Sequence, residues 1–268
     1  MIKNFSLQNK NIILTGAAGI LGKKLSQSFL DAGANLALLD VNKTSLDNLN
    51  KSLKSEGDNY FKTYLVDLTI EQDVTEIIHL ISKKFGTIDV LFNNAATKGK
   101  SLEEFLKPFE DYNYNTWKEI LEGNLSSMFL TTKAVGKIMK EQKFGNIIQI
   151  SSIYAIVTPK KEIYKNSFYN GVPISSPASY SVSKSGVIAL TKYLASYWGE
   201  FNIRVNSISP GGVESGQNIT FVNHYSSRTS LKRMADTQDI IGTAIFLSSD
   251  ASSYITGHNI VVDGGFTL

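Results

Sequence analysis

The sequence predicts an α/β fold, a doubly wound parallel sheet of about seven strands with helices on both faces. Three observations carry this. Short apolar runs alternate with amphipathic stretches from residue 11 to the C-terminus. The first run closes on a turn with glycines at 16, 19 and 22, and that turn opens a helix. The second run ends in an acid, Asp40, as a strand does beside a bound nucleotide.

Taken in order, NIILTG is the first strand, ILGKKLSQSFLDAG the first helix and NLALLD the second strand. Glycine permits a tight turn and lets backbone approach a pyrophosphate, whose charge then meets the helix N-terminus. Gly16, Gly19, Ile20, Leu21 and Gly22 are therefore candidate cofactor contacts. A carboxylate at Asp40 can accept hydrogen bonds from the adenosine ribose and would repel a 2′-phosphate. No arginine sits beside it, so NAD is expected rather than NADP. Strand, glycine turn, helix, strand and acid together form a dinucleotide-binding, Rossmann-type unit.

The alternation continues with a helix over 45–57, a strand over 59–68 ending near Asp67, and a helix over 70–86. TIDVLFNNAA is a strand running into a polar turn. Asp67 and Leu68 are placed to meet the adenine, and Asn93 and Ala95 to let backbone lie close to a cofactor. Ordinary turn chemistry would use the same residues. Residues 97–115 read as a loop with a short helix, and 116–142 as a long helix carrying Asn124, a poor helix former. GNIIQISS is a strand ending at Ser151 and Ser152, and 179–199 a helix. NIRVNSISPGGV is a strand closing on Pro210 and Gly211. Residues 214–234 form a loose polar segment suited to a substrate flap, followed by a helix over 237–252 and a last strand, HNIVVDGG. With no internal repeat or linker, residues 1–268 read as one domain.

Within the 179–199 helix, Tyr180 and Lys184 share a face one turn apart. A neighbouring ammonium favours the phenolate and lowers a phenol's pKa. Such a pair can protonate a carbonyl oxygen, or deprotonate an alcohol, as hydride moves on the adjacent carbon.

Composition excludes several functions. The absence of cysteine excludes disulfides, thiolate metal sites and a cysteine nucleophile, and His79, His224 and His258 are scattered without metal-ligand spacing, so no metal is expected. The net charge of +3 comes with dispersed lysines, not the concentrated basic stripe of a nucleic-acid binder. No apolar run is long enough to cross a membrane. The N-terminus lacks an apolar signal core, so a cytoplasmic location is expected.

These motifs, in this order, resemble the single-domain branch of the short-chain dehydrogenase/reductase family over essentially the whole chain. The resemblance rests on Thr15 to Gly22, Asn93 to Ala96, Asn124, Ser152, the Tyr180/Lys184 pair, and Pro210-Gly211. It implies that Tyr180 exchanges the proton and that Lys184 lowers its pKa and binds the nicotinamide ribose. Ser152 would hydrogen-bond the substrate oxygen, and Asn124 would hold, through its backbone carbonyl, a water leading from Lys184 to solvent. Val213 would meet the carboxamide through its backbone, with Ser215 where the family usually has threonine. A homodimer or homotetramer is implied, built on the helices at 116–142 and 179–199, with Met128, Leu190 and Tyr193 on the faces concerned.

Three departures stand out. Ile20 replaces the middle glycine of the turn, with Gly19 one place earlier, a spacing typical of a larger, epimerase-like branch. Ala96 replaces the last glycine of the asparagine turn. Ser152 and Tyr180 are separated by far more than the family's usual dozen residues, the extra segment being 159–177. That insertion carries Lys160, Lys161, Tyr164, Lys165, Phe168 and Tyr169, and its aromatics and lysines suit an anionic substrate such as a phosphorylated or nucleotide-linked sugar. A solvated loop packed down by its own aromatics is the alternative, and the sequence leaves both open. The insertion and its flanks are similar to a bacterial subgroup associated with surface-sugar synthesis, which includes flagellin modification protein A.

The expected function is thus NAD-dependent hydride transfer at an alcohol or ketone carbon of a small-molecule sugar or sugar derivative. A 3-oxoacyl-carrier-protein-type ketoreductase is the alternative enzyme, expected to prefer NADPH and to need a basic patch for its carrier. A non-catalytic NAD-binding regulatory protein is the alternative outside catalysis, but it should have lost part of the Asn, Ser, Tyr, Lys set.

Overall fold

The apolar runs are buried on both faces, so the chain stacks them into one sheet covered by helices on each side. The computed structural model describes residues 3–54 and 59–268. The main strands are β1 (Asn11–Thr15), β2 (Asn35–Asp40), β3 (Phe61–Leu65), β4 (Val90–Asn93) and β5 (Gly145–Ile150). A short hairpin follows, β6 (Phe168–Tyr169) and β7 (Val172–Pro173), then β8 (Ile203–Pro210) and β9 (Asn259–Val262). Seven strands form a parallel sheet in the order β3-β2-β1-β4-β5-β8-β9. The order reverses between β1 and β4, where doubly wound sheets open a crevice at the strands' C-terminal ends.

The helices are α1 (Ile20–Asp31), α2 (Lys43–Ser52), α3 (Glu71–Phe85), α4 (Leu102–Phe105), α5 (Tyr114–Leu121), α6 (Ser127–Gln142), α7 (Ala178–Trp198), α8 (Ile219–Arg228) and α9 (Gln238–Ser248). Alternate strand residues face opposite layers. Ile12, Leu14 and Leu38 pack against Leu25 and Phe29 of α1, Leu46 of α2 and Ile240 of α9. Ile13, Leu39 and Leu91 pack against Ile78 of α3, Met139 of α6 and Leu194 of α7. Each such side chain contributes roughly 1.5–3 kcal/mol by burial.

Three elements differ from the sequence reading. The helix expected over 45–57 begins at Lys43 and ends at Ser52, and its expected last turn, 55–57, lies outside the described residues. The helix expected over 116–142 is two helices joined by a π-helical turn, Glu122–Ser126, centred on Asn124. The segment 214–234 is not a loose flap. Asn218 caps α8 through Phe221 N–H, and Phe221 and Tyr225 bury the helix against Ile153, Ile163, Met234 and Phe266. Among the described residues no helix is long and apolar enough to cross a membrane.

Candidate active site

A cleft of about 710 Å³ opens where β1, β2 and β4 end, bounded by the glycine turn, Asp40, Asp67 and Ala95. Gly16 has φ +63°, and a Cβ there would lie 2.7 Å from Ala95 Cα, so this crossing of the turn over the β4 end requires glycine. A Cβ on Gly22 would come within 2.1 Å of Gly16 O, so the second close approach, helix against turn, requires one too. No side chain caps α1 and its first turn carries no acid, which leaves its leading N–H groups and dipole facing the cleft. That cradle fits a pyrophosphate. Ile20 is 57% exposed and lines the cleft with Leu21, so the departure at this position changes the wall and keeps the turn.

Asp40 lines the same cleft. Its Oδ2 accepts from Ala18 N–H and its Oδ1 from Asn42 N–H, both at 2.9 Å, so the carboxylate ties β2 to the glycine turn while each oxygen keeps a free lone pair. Asp67 accepts from the Thr69 N–H and hydroxyl through Oδ1, and Leu68 lies beside it on the cleft wall. Asn93 is elsewhere. Its side chain is buried under α6, donating to Thr132 Oγ1 at 2.8 Å and accepting from Thr131 at 2.9 Å, because β4 directs it to the opposite face of the sheet. Its neighbour Asn94 does the work that the turn needs. Asn94 Nδ2 donates to Thr15 O and Gly16 O, and Asn94 lines both this cleft and the next cavity.

The second cavity, of about 390 Å³, adjoins the first through Asn94 and Ala96. Ser152, Tyr180 and Lys184 all line it. Lys184 is 2% exposed, and its Nζ donates to Ile150 O at 2.8 Å while Ser151 Oγ donates to Lys184 O at 2.8 Å. These two bonds fasten α7 to the end of β5 and set Tyr180 one turn earlier, over the cavity. Burial pushes the Lys184 ammonium down to about 8. Burial also pushes the Tyr180 phenol up, and a hydrogen bond with Ser152 opposes it. The lowering of Tyr180 by Lys184 expected from sequence is therefore not found in the protein alone. The ammonium stands 6.0 Å from the phenol ring centroid and spends one proton on Ile150 O.

Asn124 is fully buried in the π-helical turn, where its Oδ1 accepts from Thr97 N–H at 2.6 Å and its Nδ2 has no partner. Single π turns inside a helix recur at functional sites. Pro210, Gly211 and Val213 line the second cavity, and Val213 O accepts from Gln217 Nε2. Ser215 lines neither cavity and instead holds Gln217 in a turn.

The insertion at 159–177 divides by residue type. Tyr164 and Tyr169 line the second cavity, whereas Lys160, Lys161 and Lys165 are exposed and do not. The insertion's lysines thus lend no charge to the cavity. Lys98, from the loop after β4, supplies a cation there, 3.9 Å from the Tyr169 ring centroid. No Asp or Glu lines this cavity among the described residues. Asn94 lies within the asparagine turn without being singled out by sequence, and Lys98, Tyr154 and Gln217 carry no motif and become neighbours only through the fold.

A family model described as enoyl-(acyl carrier protein) reductase matches residues 16–267. The chain is 32% identical over 262 residues to the post-translational flagellin modification protein A of Campylobacter coli, covering 98% of this chain and 100% of that one. It is 30% identical over 267 residues to a sorbose reductase of Candida albicans, covering 98% and 89%. A crystal structure of a short chain dehydrogenase from Leptospira borgpetersenii with bound NAD+ matches it with a TM-score of 0.84 at 30% identity, covering 100% of this chain and 96% of the other.

Proposed function

The chain belongs to the short-chain dehydrogenase/reductase family, oxidoreductases of CH–OH groups that bind a nicotinamide cofactor, and on that premise we propose that it is an NAD-dependent enzyme of a sugar-like, polyhydroxylated substrate. The observation that carries this reading is the convergence of Ser152, Tyr180 and Lys184 on a cavity adjoining the glycine-turn cleft. The nicotinamide supplies or receives the hydride. Tyr180, kept protonated by burial, gives its proton to the carbonyl oxygen in the reducing direction and takes it back in the other. Ser152 hydrogen-bonds that oxygen and the phenol. Lys184, anchored on Ile150 O, presents its remaining protons to the ribose and the phenol. The π turn at Asn124 offers a backbone carbonyl for a water on the path from Lys184 outward. The α1 N-terminus and the glycines hold the pyrophosphate, Asp40 the adenosine ribose, and Asp67 with Leu68 the adenine. Ala95 and the Pro210–Val213 backbone flank the nicotinamide.

Asp40 favours NAD, since the nearest residues, Val41, Asn42 and Lys43, offer no arginine fork for a 2′-phosphate. Lys98 and the missing acids in the cavity favour an anionic group on the substrate. The acyl-carrier alternative draws on the description of the matching family model and would need NADPH. We place the enzyme in the cytoplasm, as a single domain and a homo-oligomer. The exposed, stacked Tyr193 and Tyr197 of α7 suit a contact between copies, whereas Met128 is buried within its own chain.

The test is NADH formation at neutral pH against free, phosphorylated and nucleotide-linked sugars, with Tyr180→Phe as control. Turnover confined to sugars, lowered by about 10²–10⁴ in the variant with NADH binding retained, is the expected result. Turnover only with an acyl thioester and NADPH would overturn it.

A further inference from the structure

The wall of the substrate cavity opposite in sequence to the catalytic helix carries polar groups that hydride and proton transfer do not use. Tyr164, from the insertion, donates its hydroxyl proton to Tyr154 Oη at 2.6 Å, and both tyrosines line the cavity. Because Tyr154 accepts that bond, its own O–H proton is left over, and it meets no acceptor among the described residues. Ser176 Oγ, also from the insertion and also on the cavity wall, is buried beside the Tyr164 hydroxyl and extends the same polar row. Leaving the Tyr154 donor unpaired in a desolvated site costs about 1–3 kcal/mol, so a ligand that brings an acceptor there is favoured.

The rings are fixed. Tyr164 stacks on Phe221 of α8 at 5.9 Å, Tyr154 meets Phe266 edge-on at 6.5 Å, and Ile163 is buried in the same cluster. Burial pushes the Tyr164 phenol up to about 12 and the Tyr154 phenol higher still. Both remain neutral donors throughout the working pH range.

We propose that Tyr164 and Tyr154, with Ser176, form a specificity subsite that recognises an oxygen acceptor of the substrate away from the reacting carbon. It rests on the proposed oxidoreductase reading and sharpens it: the substrate is a polyol, sugar or sugar acid and not a simple secondary alcohol. A site built to hydrogen-bond a hydroxyl rejects the analogue without it because its own groups are then left unpaired.

Two ring alcohols of similar shape serve as probes, myo-inositol and cyclohexanol, each added to the NAD-loaded protein and followed by saturation-transfer NMR. In wild type the inositol signal is expected to exceed the cyclohexanol signal. In Tyr154→Phe that ratio should fall roughly tenfold, and in Tyr164→Phe roughly threefold. Equal ratios in all three proteins, no inositol signal in wild type, or a parallel loss of both probes would each overturn the subsite. On any sugar that turns over, Tyr154→Phe should raise KM about tenfold with kcat little changed. No NADH formation by wild type from any sugar would sink the proposed reading, whereas the probe ratio is a binding readout that stands or falls without turnover, so the two failures are distinguishable.

Discussion

The cleft at the β1–β2–β4 end and the cavity at the β5–β8 end share Asn94 and Ala96, yet they are walled by different materials. The first is largely backbone: a glycine turn, an uncapped helix end, and one carboxylate held by two N–H groups. The second is largely side chains, contributed by α7, the insertion, α8 and the loop after β4. Backbone geometry suits a ligand that never changes, since it is fixed by hydrogen bonds and close contacts that tolerate little substitution. A side-chain wall can be rebuilt by inserting a segment, as residues 159–177 do here, without disturbing the cofactor. Variants that affect one half and spare the other test this division.

The largest effect is expected at Lys184, in the side-chain half. Its pKa falls from 10.5 to about 8 on burial, so the charged form costs the folded state about 3 kcal/mol. The folded pKa lies below the unfolded one. Below about 8 the cost is therefore fully present, and between about 8 and 10.5 the unfolded chain binds more protons, so stability rises with pH. Tyr180 acts in the opposite sense above its ordinary value of 10.0, because its folded pKa is raised and the unfolded chain ionises first. In a Tyr180→Phe background, the stability difference between Lys184 and Lys184→Met proteins should change by about 3 kcal/mol from neutral pH to 10.5, read by urea unfolding. A flat difference would mean that the ammonium is solvated and that this half is less closed than its geometry indicates.

Asp40→Ala tests the other half. It should cut kcat/KM for NAD about tenfold and raise the NADP-to-NAD ratio, by removing ribose hydrogen bonds and a repelling charge. Asp40 also anchors Ala18 N–H, so Asp40→Asn, which keeps an acceptor, separates the two effects. Sugar KM at saturating cofactor should not move. If it does, the halves are coupled through the glycine turn and the division fails.

The same division explains what could be read beforehand. Strand runs, the glycine turn, Asp40 and the Tyr180/Lys184 spacing are local patterns, and the parallel, doubly wound sheet follows from the alternation, whereas its strand order does not. Which way the Asn93 side chain points is not legible, because a strand residue's face depends on register: it turns under α6, while the Asn94 side chain bonds the glycine turn. The hairpin in the insertion did have a local signal: Asn170 and Gly171, both at positive φ between Tyr169 and Val172, make the tight turn that an Asn-Gly pair favours. The insertion's lysines suggested charge in the pocket, but they flank an aromatic segment whose rings need burial more, and they turn to solvent. The meeting of Tyr154 with Tyr164, and of Lys98 with Tyr169, depends on how separate segments pack and has no counterpart in spacing.

The smallest predicted effect is the most selective. Asn218 caps α8 through Phe221 N–H, accepts from Phe168 N–H at 3.0 Å, and donates to Asn166 O at 3.4 Å, so one side chain fastens the insertion to the helix that roofs the cavity. Gln217 continues the join through its backbone bridge to Tyr169. Asn218→Ala removes a helix cap and both cross-links while leaving every residue of the cofactor cleft in place. A cap is worth about 1 kcal/mol, which in a chain of this size lowers Tm by roughly 2–4 °C. Substrate KM should rise about threefold through a looser roof, with the NAD dissociation constant unchanged by titration calorimetry. An equal weakening of NAD would mean that the roof braces both halves, and the backbone cleft would then owe its rigidity to the insertion as well as to its glycines.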